Sequence, residues 1–81
     1  MTSENMIESI TYDLDRNPFI INNGGASKCV RFKIKQEQEL TSIVYQLSGK
    51  AKDDPVLSMQ IKNTIQESAN RLGIIVTSEI I

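Results

Sequence analysis

A helix signal between Asp54 and Gly73 is the strongest constraint on how this chain folds. Asp54 is a residue type that caps helix N-termini, and Pro55 suits the first helical position, where its missing N–H costs nothing. Apolar residues then recur at helical spacing, at Leu57, Ile61, Ile65 and Leu72. Gly73 is typical of the residue that ends a helix. These signals predict a helix over residues 55–72 with one buried face.

A second helix is predicted immediately before it. Leu40, Ile43, Val44 and Leu47 are spaced as on one helical stripe. Acidic residues at Glu37 and Glu39 suit the positive end of a helix dipole, and Gly49 suits the end of the helix. We therefore predict a helix that begins after Lys35, over residues 36–48, and forms a two-helix hairpin with the helix that follows it.

The segment from Cys29 to Lys35 has the alternation of a half-buried strand. Val30, Phe32 and Ile34 fall on one face, and Arg31, Lys33 and Lys35 fall on the other. Asn23-Gly24 separates this strand from the short apolar run Phe19-Ile20-Ile21. Asn-Gly between two extended segments favours a type I′ turn. The sequence therefore predicts a β-hairpin at Asn23-Gly24.

The two ends of the chain complete the predicted fold. Residues 6–14 fit both strand alternation and the helical spacing of Ile7, Ile10 and Leu14; we favour a strand because Ile10-Thr11-Tyr12 is β-branched and aromatic. The β-branched residues from Ile74 to Ile81 predict a final strand. The expected fold is a small single α+β domain over residues 1–81. Its predicted order is two or three N-terminal strands, two helices and a C-terminal strand (β-β-β-α-α-β), with residues 1–5 disordered.

The composition removes most catalytic and metal-binding chemistry from consideration. The chain of 81 residues contains no His, no Trp and one Cys, so it lacks the usual general base and the ligands of a zinc site. Cys29 cannot form an internal disulfide, and without a His to activate it we interpret it as a packing residue. Three acidic pairs, Asp13/Asp15, Glu37/Glu39 and Asp53/Asp54, each have a structural explanation in turns or helix starts. We expect no enzyme activity, no cofactor and no metal.

Charge is unevenly distributed along a chain whose net charge is only −1. Four cations, Lys28, Arg31, Lys33 and Lys35, lie in residues 28–35 without any acid between them. A half-buried strand must expose polar residues on one face, so these cations can simply be the solvent-exposed face of the strand, without a binding role. They can also bind an acidic protein, or DNA as the ribbon of a dimeric β-ribbon transcriptional regulator, in which a strand precedes two helices.

A small chain without disulfides or metals needs a well-packed core or a partner subunit. We name Tyr45, Val56, Met59, Ile80 and Ile81 as a candidate oligomer or partner interface, because these apolar residues lie off the predicted stripes or at the chain end. No signal peptide or membrane span is recognisable. The leading hypothesis is a cytoplasmic, non-enzymatic regulatory or inhibitory protein that binds another protein and forms a homo-oligomer; DNA binding is the alternative.

Overall fold

Helices and a small sheet form two layers in the computed structural model, which describes residues 2–79. The elements follow in the order α1 (Ser3–Asp15), α2 (Pro18–Ile21), α3 (Ala26–Cys29), β1 (Val30–Glu37), β2 (Leu40–Leu47), a 3-10 helix (Gly49–Lys52), α4 (Pro55–Leu72) and β3 (Val76–Ser78). The predicted α+β class is therefore confirmed.

The sheet has three strands in the order β1-β2-β3. The first two strands are antiparallel and pair from Val30 opposite Leu47 to Glu37 opposite Leu40. The tight turn between them places Gln38 at φ 56°, in the left-handed region. The third strand is parallel to β2, with Val76 beside Ile43, because α4 returns the chain to the same end of the sheet.

The core lies between one face of the sheet and the helices α1 and α4. Its members share nearly complete burial and come from every layer: Ile10, Leu14, Ile20, Ala26, Cys29, Val30, Tyr45, Ala51, Leu57, Ile61 and Ile65. Side chains of a strand alternate between faces, so the residues between these core positions lie on the opposite face of the sheet. Only the helix-facing side of the sheet is covered by the core.

The helix predicted over residues 55–72 is confirmed at both ends. The Asp54 carboxylate accepts hydrogen bonds from the N–H groups of Val56 and Leu57, at 3.0 and 3.2 Å. Gly73 ends the helix with φ 70°, a conformation that favours glycine. Residues 30–35 of the predicted basic strand belong to β1, whereas Lys28 and Cys29 belong to α3. Within the strand predicted over residues 74–81, β3 covers Val76–Ser78, and residues 80–81 lie outside the described residues.

The N-terminal strand prediction is wrong, because residues 6–14 belong to α1. Helical spacing prevails over β propensity here, since Ile10 and Leu14 lie one turn apart and both are fully buried against the core. The Thr2 side chain caps the helix by accepting a hydrogen bond from the N–H of Asn5 at 3.1 Å. Residues 2–5 therefore form the cap and first turn of α1, and the disorder predicted for residues 1–5 does not extend to them.

The hairpin predicted at Asn23-Gly24 is also wrong. Gly24 has the positive φ expected of such a turn, 110°, but the segments that flank it are the short helices α2 and α3. The Asn17 side chain caps α2 by accepting from the N–H of Phe19, and the Asn23 side chain donates to the Phe19 carbonyl. These local hydrogen bonds stabilise a helical turn where an extended run was predicted.

The helix predicted over residues 36–48 is wrong as well, so the predicted two-helix hairpin does not exist. Leu40–Leu47 form β2. Three of its central residues, Ile43, Val44 and Tyr45, are β-branched or aromatic and suit a strand. Pairing on both sides, with β1 and β3, prevails over the apparent helical spacing.

The cap of α4 can be tested with two adjacent carboxylates. Asp54→Ala removes the side chain that accepts from two N–H groups, and we expect a loss of about 1 kcal/mol in the free energy of unfolding. Asp53→Ala is the matched control, because Asp53 is exposed and outside the cap. Urea denaturation of both variants measures the difference, and equal losses would contradict the assigned cap.

Candidate functional site

The face of the sheet that points away from the helices carries the predicted cations. We define this outer face by the residues that alternate with the core positions: Arg31, Lys33, Lys35 and Glu37 of β1, Ser42, Val44 and Gln46 of β2, Thr77 of β3, and Glu79. The side chains of Lys33 and Lys35 are 71% and 54% exposed. The predicted basic ribbon is therefore a real geometric feature, with three cations at alternate positions of one strand.

Val44 forms an apolar floor between the cations of the outer face. It is only 7% exposed, although it lies on the side of the sheet opposite to the core. Arg31, Lys33 and Gln46 lie around it and line a cavity of about 260 Å³ with it. Long cationic side chains cover apolar surface with their aliphatic stems, which explains the burial of Val44. The site thus combines charge with an apolar floor.

A carboxylate from the end of the described chain lies on this face. The Glu79 N–H donates to the Tyr45 carbonyl at 2.7 Å, and its Oε1 accepts from Gln46 Nε2 at 2.7 Å. Its two carboxylate oxygens lie 3.9 Å from Lys33 Nζ and 3.7 Å from Lys35 Nζ. Ion pairs this exposed contribute about 1 kcal/mol or less, so Glu79 holds the lysines only weakly.

The outer edge of β1 is free of any strand among residues 2–79. Ser48 N–H donates to the Cys29 carbonyl, so odd-numbered residues of β1 direct their backbone groups toward β2. The N–H and C=O groups of Phe32, Ile34 and Gln36 therefore point away from the sheet. Ile34 is also 42% exposed. An edge of this kind can pair with another strand.

The fourth predicted cation, Lys28, lies beside a cation that the sequence pattern did not reveal. Lys28 is in α3 and Lys50 is in the 3-10 helix, and both line a cavity of about 470 Å³ together with Arg31. Gly49 allows this approach, because a Cβ at that position would lie 2.8 Å from the Lys28 carbonyl oxygen. Arg31 lines both cavities, so Lys28, Lys50, Arg31 and Lys33 form one continuous basic surface. Lys35 extends this surface as the next outward residue of β1.

The predicted interface residues lie in different environments. Tyr45 is buried in the core against Phe32, with ring centroids 6.4 Å apart, so its proposed interface role is wrong. Desolvation by burial raises the pKa of its hydroxyl. Val56 and Met59 are 51% and 54% exposed on α4, as an interface requires. Ile80 and Ile81 lie outside the described residues.

Cys29 is a packing residue at the junction of α3 and β1. Its side chain is 1% exposed, and its thiol donates a long hydrogen bond of 3.5 Å to the Asn23 carbonyl. Desolvation raises the pKa of the thiol, and the charge of Lys50 opposes this only in part. A raised pKa keeps the group protonated near neutrality and therefore a poor nucleophile.

A polar cleft between α1 and α4 contains Asp13, Ser68 and Arg71. Asp13 Oδ2 accepts from the Ser68 hydroxyl and from Arg71 Nη2, each at 2.6 Å. The Ser68 hydrogen bond, followed by that from Arg71 and its charge, lowers the pKa of Asp13 against the opposing effect of burial. These groups satisfy one another, which indicates a structural connection between the helices. Asp15 also has a structural role, because it accepts from the N–H of Ala26 at 2.9 Å.

No family model, curated protein or solved structure matches this chain.

Within residues 2–79, no three His, Cys, Asp or Glu side chains are grouped closely enough to hold a metal ion. None of the helices in that range has both the length and the apolar character needed to cross a bilayer.

The Asp13 connection predicts a pH-dependent stability. The folded-state pKa is lowered, so the stabilisation is present above the unfolded-state pKa and is lost as pH falls through the folded-state pKa. Asp13→Asn removes charge-assisted hydrogen bonds and is expected to cost about 1–3 kcal/mol at pH 7.

Urea denaturation between pH 7 and pH 2 measures this dependence. The difference in unfolding free energy between wild type and Asp13→Asn should shrink in the acid range. Glu8→Gln, at an exposed position of α1, should show no such trend. A constant difference across this pH range would contradict the assigned role of the carboxylate.

Proposed function

We propose that this chain is a small non-enzymatic regulatory or inhibitory protein that binds an acidic surface of another protein with the outer face of its sheet. The observation that carries the proposal is the presence of Arg31, Lys33 and Lys35 on one exposed sheet face. Among residues 2–79, that face has two carboxylates, Glu79 and Glu37 at the end of β1, against its three cations. Positive charge therefore exceeds negative charge locally, although the whole chain carries a net charge of −1.

The composition of the outer face suits recognition of a protein better than simple charge attraction would. Val44 offers apolar contact, and the Gln46 amide already binds a carboxylate, that of Glu79, at 2.7 Å. Side-chain carboxylates of a partner can take the same contacts with Gln46, Lys33 and Lys35. Charged groups at the rim of such a surface mainly increase the association rate and the specificity, while burial of apolar area adds affinity.

DNA binding is the competing hypothesis, and its architectural basis has weakened. It depended on a strand followed by two helices, whereas β2 occupies the position of the first helix. The N-terminus of α4 is preceded by Asp53 and Asp54, which repel phosphate. The free edge of β1 does leave room for a second copy of the ribbon. Duplex DNA is therefore included as the competing ligand in the test.

The test compares neutralised variants of equal charge. Lys33→Gln/Lys35→Gln removes two cations of the outer face. Lys52→Gln/Lys62→Gln removes two exposed cations outside β1, which line a different cavity beside Gln46 and Glu79. We expect binding of a fluorescent polyglutamate peptide at low ionic strength to weaken about fivefold in the first variant, from two contacts of about 0.5 kcal/mol each. The control variant should bind within about twofold of wild type by the same reasoning.

The same titrations with duplex DNA decide between the two hypotheses. We expect polyglutamate to bind more tightly than DNA at equal salt. DNA recognition would replace the proposal if DNA binds more tightly than polyglutamate and if the slope of log K against log salt concentration becomes smaller in the Lys33/Lys35 variant. The expected decrease in that slope is about 0.9 for each lost phosphate contact. Failure of wild-type protein to bind polyglutamate at low ionic strength would refute the proposal.

The homo-oligomer stays a prediction, now limited to fewer residues. Val56 and Met59 are its exposed members among the described residues, three positions apart on α4. Sedimentation velocity at micromolar concentration should show a species larger than a monomer, and Val56→Lys/Met59→Lys should shift it to the monomer. Deletion of Ile80-Ile81 tests the remaining members separately. A monomeric wild type would exclude the oligomer.

A further inference from the structure

We propose that the free edge of β1 accepts an extended acidic segment of the partner as an additional β-strand, with alternate carboxylates facing Arg31, Lys33 and Lys35. The inference rests on the proposed function and deepens it, because it names the conformation and the side-chain pattern of what is bound. It combines two features that the proposed function does not use together: the unpaired backbone groups of β1 and the spacing of its cations.

The backbone of β1 supplies the hydrogen bonds. Phe32, Ile34 and Gln36 direct their N–H and C=O groups away from β2, which is the arrangement that an incoming strand requires. The strand is eight residues long, Val30–Glu37, which is enough for several such bonds. Strand addition gains affinity from these main-chain bonds and specificity from alternate side chains.

The cations of β1 define the side-chain pattern of the incoming strand. Alternate residues of a strand are about 6.6–7 Å apart on one face, so Arg31, Lys33 and Lys35 match carboxylates at every second position of a neighbouring strand. Each opposite-charge pair across strands contributes roughly 0.2–1 kcal/mol. The other residues of the incoming strand extend the inner face beside Ile34, which is 42% exposed and gains apolar cover. The expected ligand therefore alternates acidic and apolar residues.

A second copy of β1 is a poorer occupant of the same edge. Two antiparallel registers with a second copy give all three cations a partner within β1. One places Lys33 opposite Lys33, and the other places Lys33 opposite Lys35 while Arg31 lies opposite Glu37. Like charges directly opposite each other destabilise paired strands. An acidic strand removes this repulsion and replaces it with attraction.

Glu79 indicates how a carboxylate is received on this face. Its oxygens lie between Gln46 Nε2, Lys33 Nζ and Lys35 Nζ at 2.7, 3.9 and 3.7 Å. An incoming carboxylate at the β1 edge competes with Glu79 for the two lysines. Because the ion pairs are exposed and weak, the displacement costs little.

The experiment uses acetylated and amidated peptides of about eight residues, the length of β1. The first alternates Glu and Val, and the second has the same composition with the Glu and Val residues in two blocks. Two further peptides carry backbone N-methyl groups, one on every Val and one on every Glu. We expect the alternating peptide to bind more tightly than the block isomer. Only one set of alternate N–H groups in the peptide faces the β1 edge, so one of the two N-methylated peptides should bind about tenfold more weakly, because it cannot form these hydrogen bonds.

Variants of the protein test the same edge from the other side. Ile34→Pro removes an outward N–H, and proline is tolerated at such positions of edge strands because the bonds to β2 remain. Ile34→Pro should bind the alternating peptide at least about fivefold more weakly than wild type does, whereas the affinity of Ile34→Val should stay within about twofold of wild type. Glu79→Gln should tighten binding about two- to fivefold, since the competing charge is lost. Weaker binding by Glu79→Gln would contradict the displacement.

The outcomes separate this inference from the proposed function. Equal binding of the alternating, block and N-methylated peptides, with a loss in Lys33→Gln/Lys35→Gln, would overturn strand addition while leaving recognition of acidic proteins intact. Absence of binding by every acidic peptide would overturn both. Dimers of the free protein that Ile34→Pro dissociates would assign the edge to a second copy and overturn the proposed occupant.

Discussion

The packing of one face of α4 against the sheet and α1 is the interaction on which the rest of the structure depends. Leu57, Ile61 and Ile65 are all but fully buried and contact the same core as Ile10 and Leu14 of α1. A chain of 81 residues with one cysteine has no disulfide to support a weaker core. The core therefore depends on the contact between these helices and a single face of the sheet.

This arrangement has a direct consequence for function. A three-stranded sheet covered on one face leaves its other face to polar residues, and in this chain three of the outward positions of β1, Arg31, Lys33 and Lys35, are cationic. Because α4 lies between β2 and β3 in the sequence, it brings Glu79 to the same face from the far side of the sheet. The core thus determines where charge collects, and the free edge of β1 lies next to that charge.

The candidate site was partly visible in the sequence. Alternation identified Arg31, Lys33 and Lys35 as one face of a strand, because period-two spacing is a local property of extended backbone. Lys50, Gln46 and Glu79 could not be found in this way. They lie outside the basic strand in the sequence and join it through the antiparallel pairing of β2, the turn at Gly49 and the parallel pairing of β3, respectively for Gln46, Lys50 and Glu79.

Local signals determined some elements of the fold and failed at others for a physical reason. The helix α4 was predictable because its cap, its proline, its apolar stripe and its terminal glycine agree, and each acts within a few residues. The α1 and β2 segments each carry spacing that suits both a helix and a strand. Burial of Ile10 and Leu14 against α4 decided the first, and pairing of β2 with strands on both sides decided the second. The sequence by itself determined the long helix and the cationic strand; only the tertiary structure decided α1, β2 and the open edge, because those depend on contacts between residues far apart in the chain.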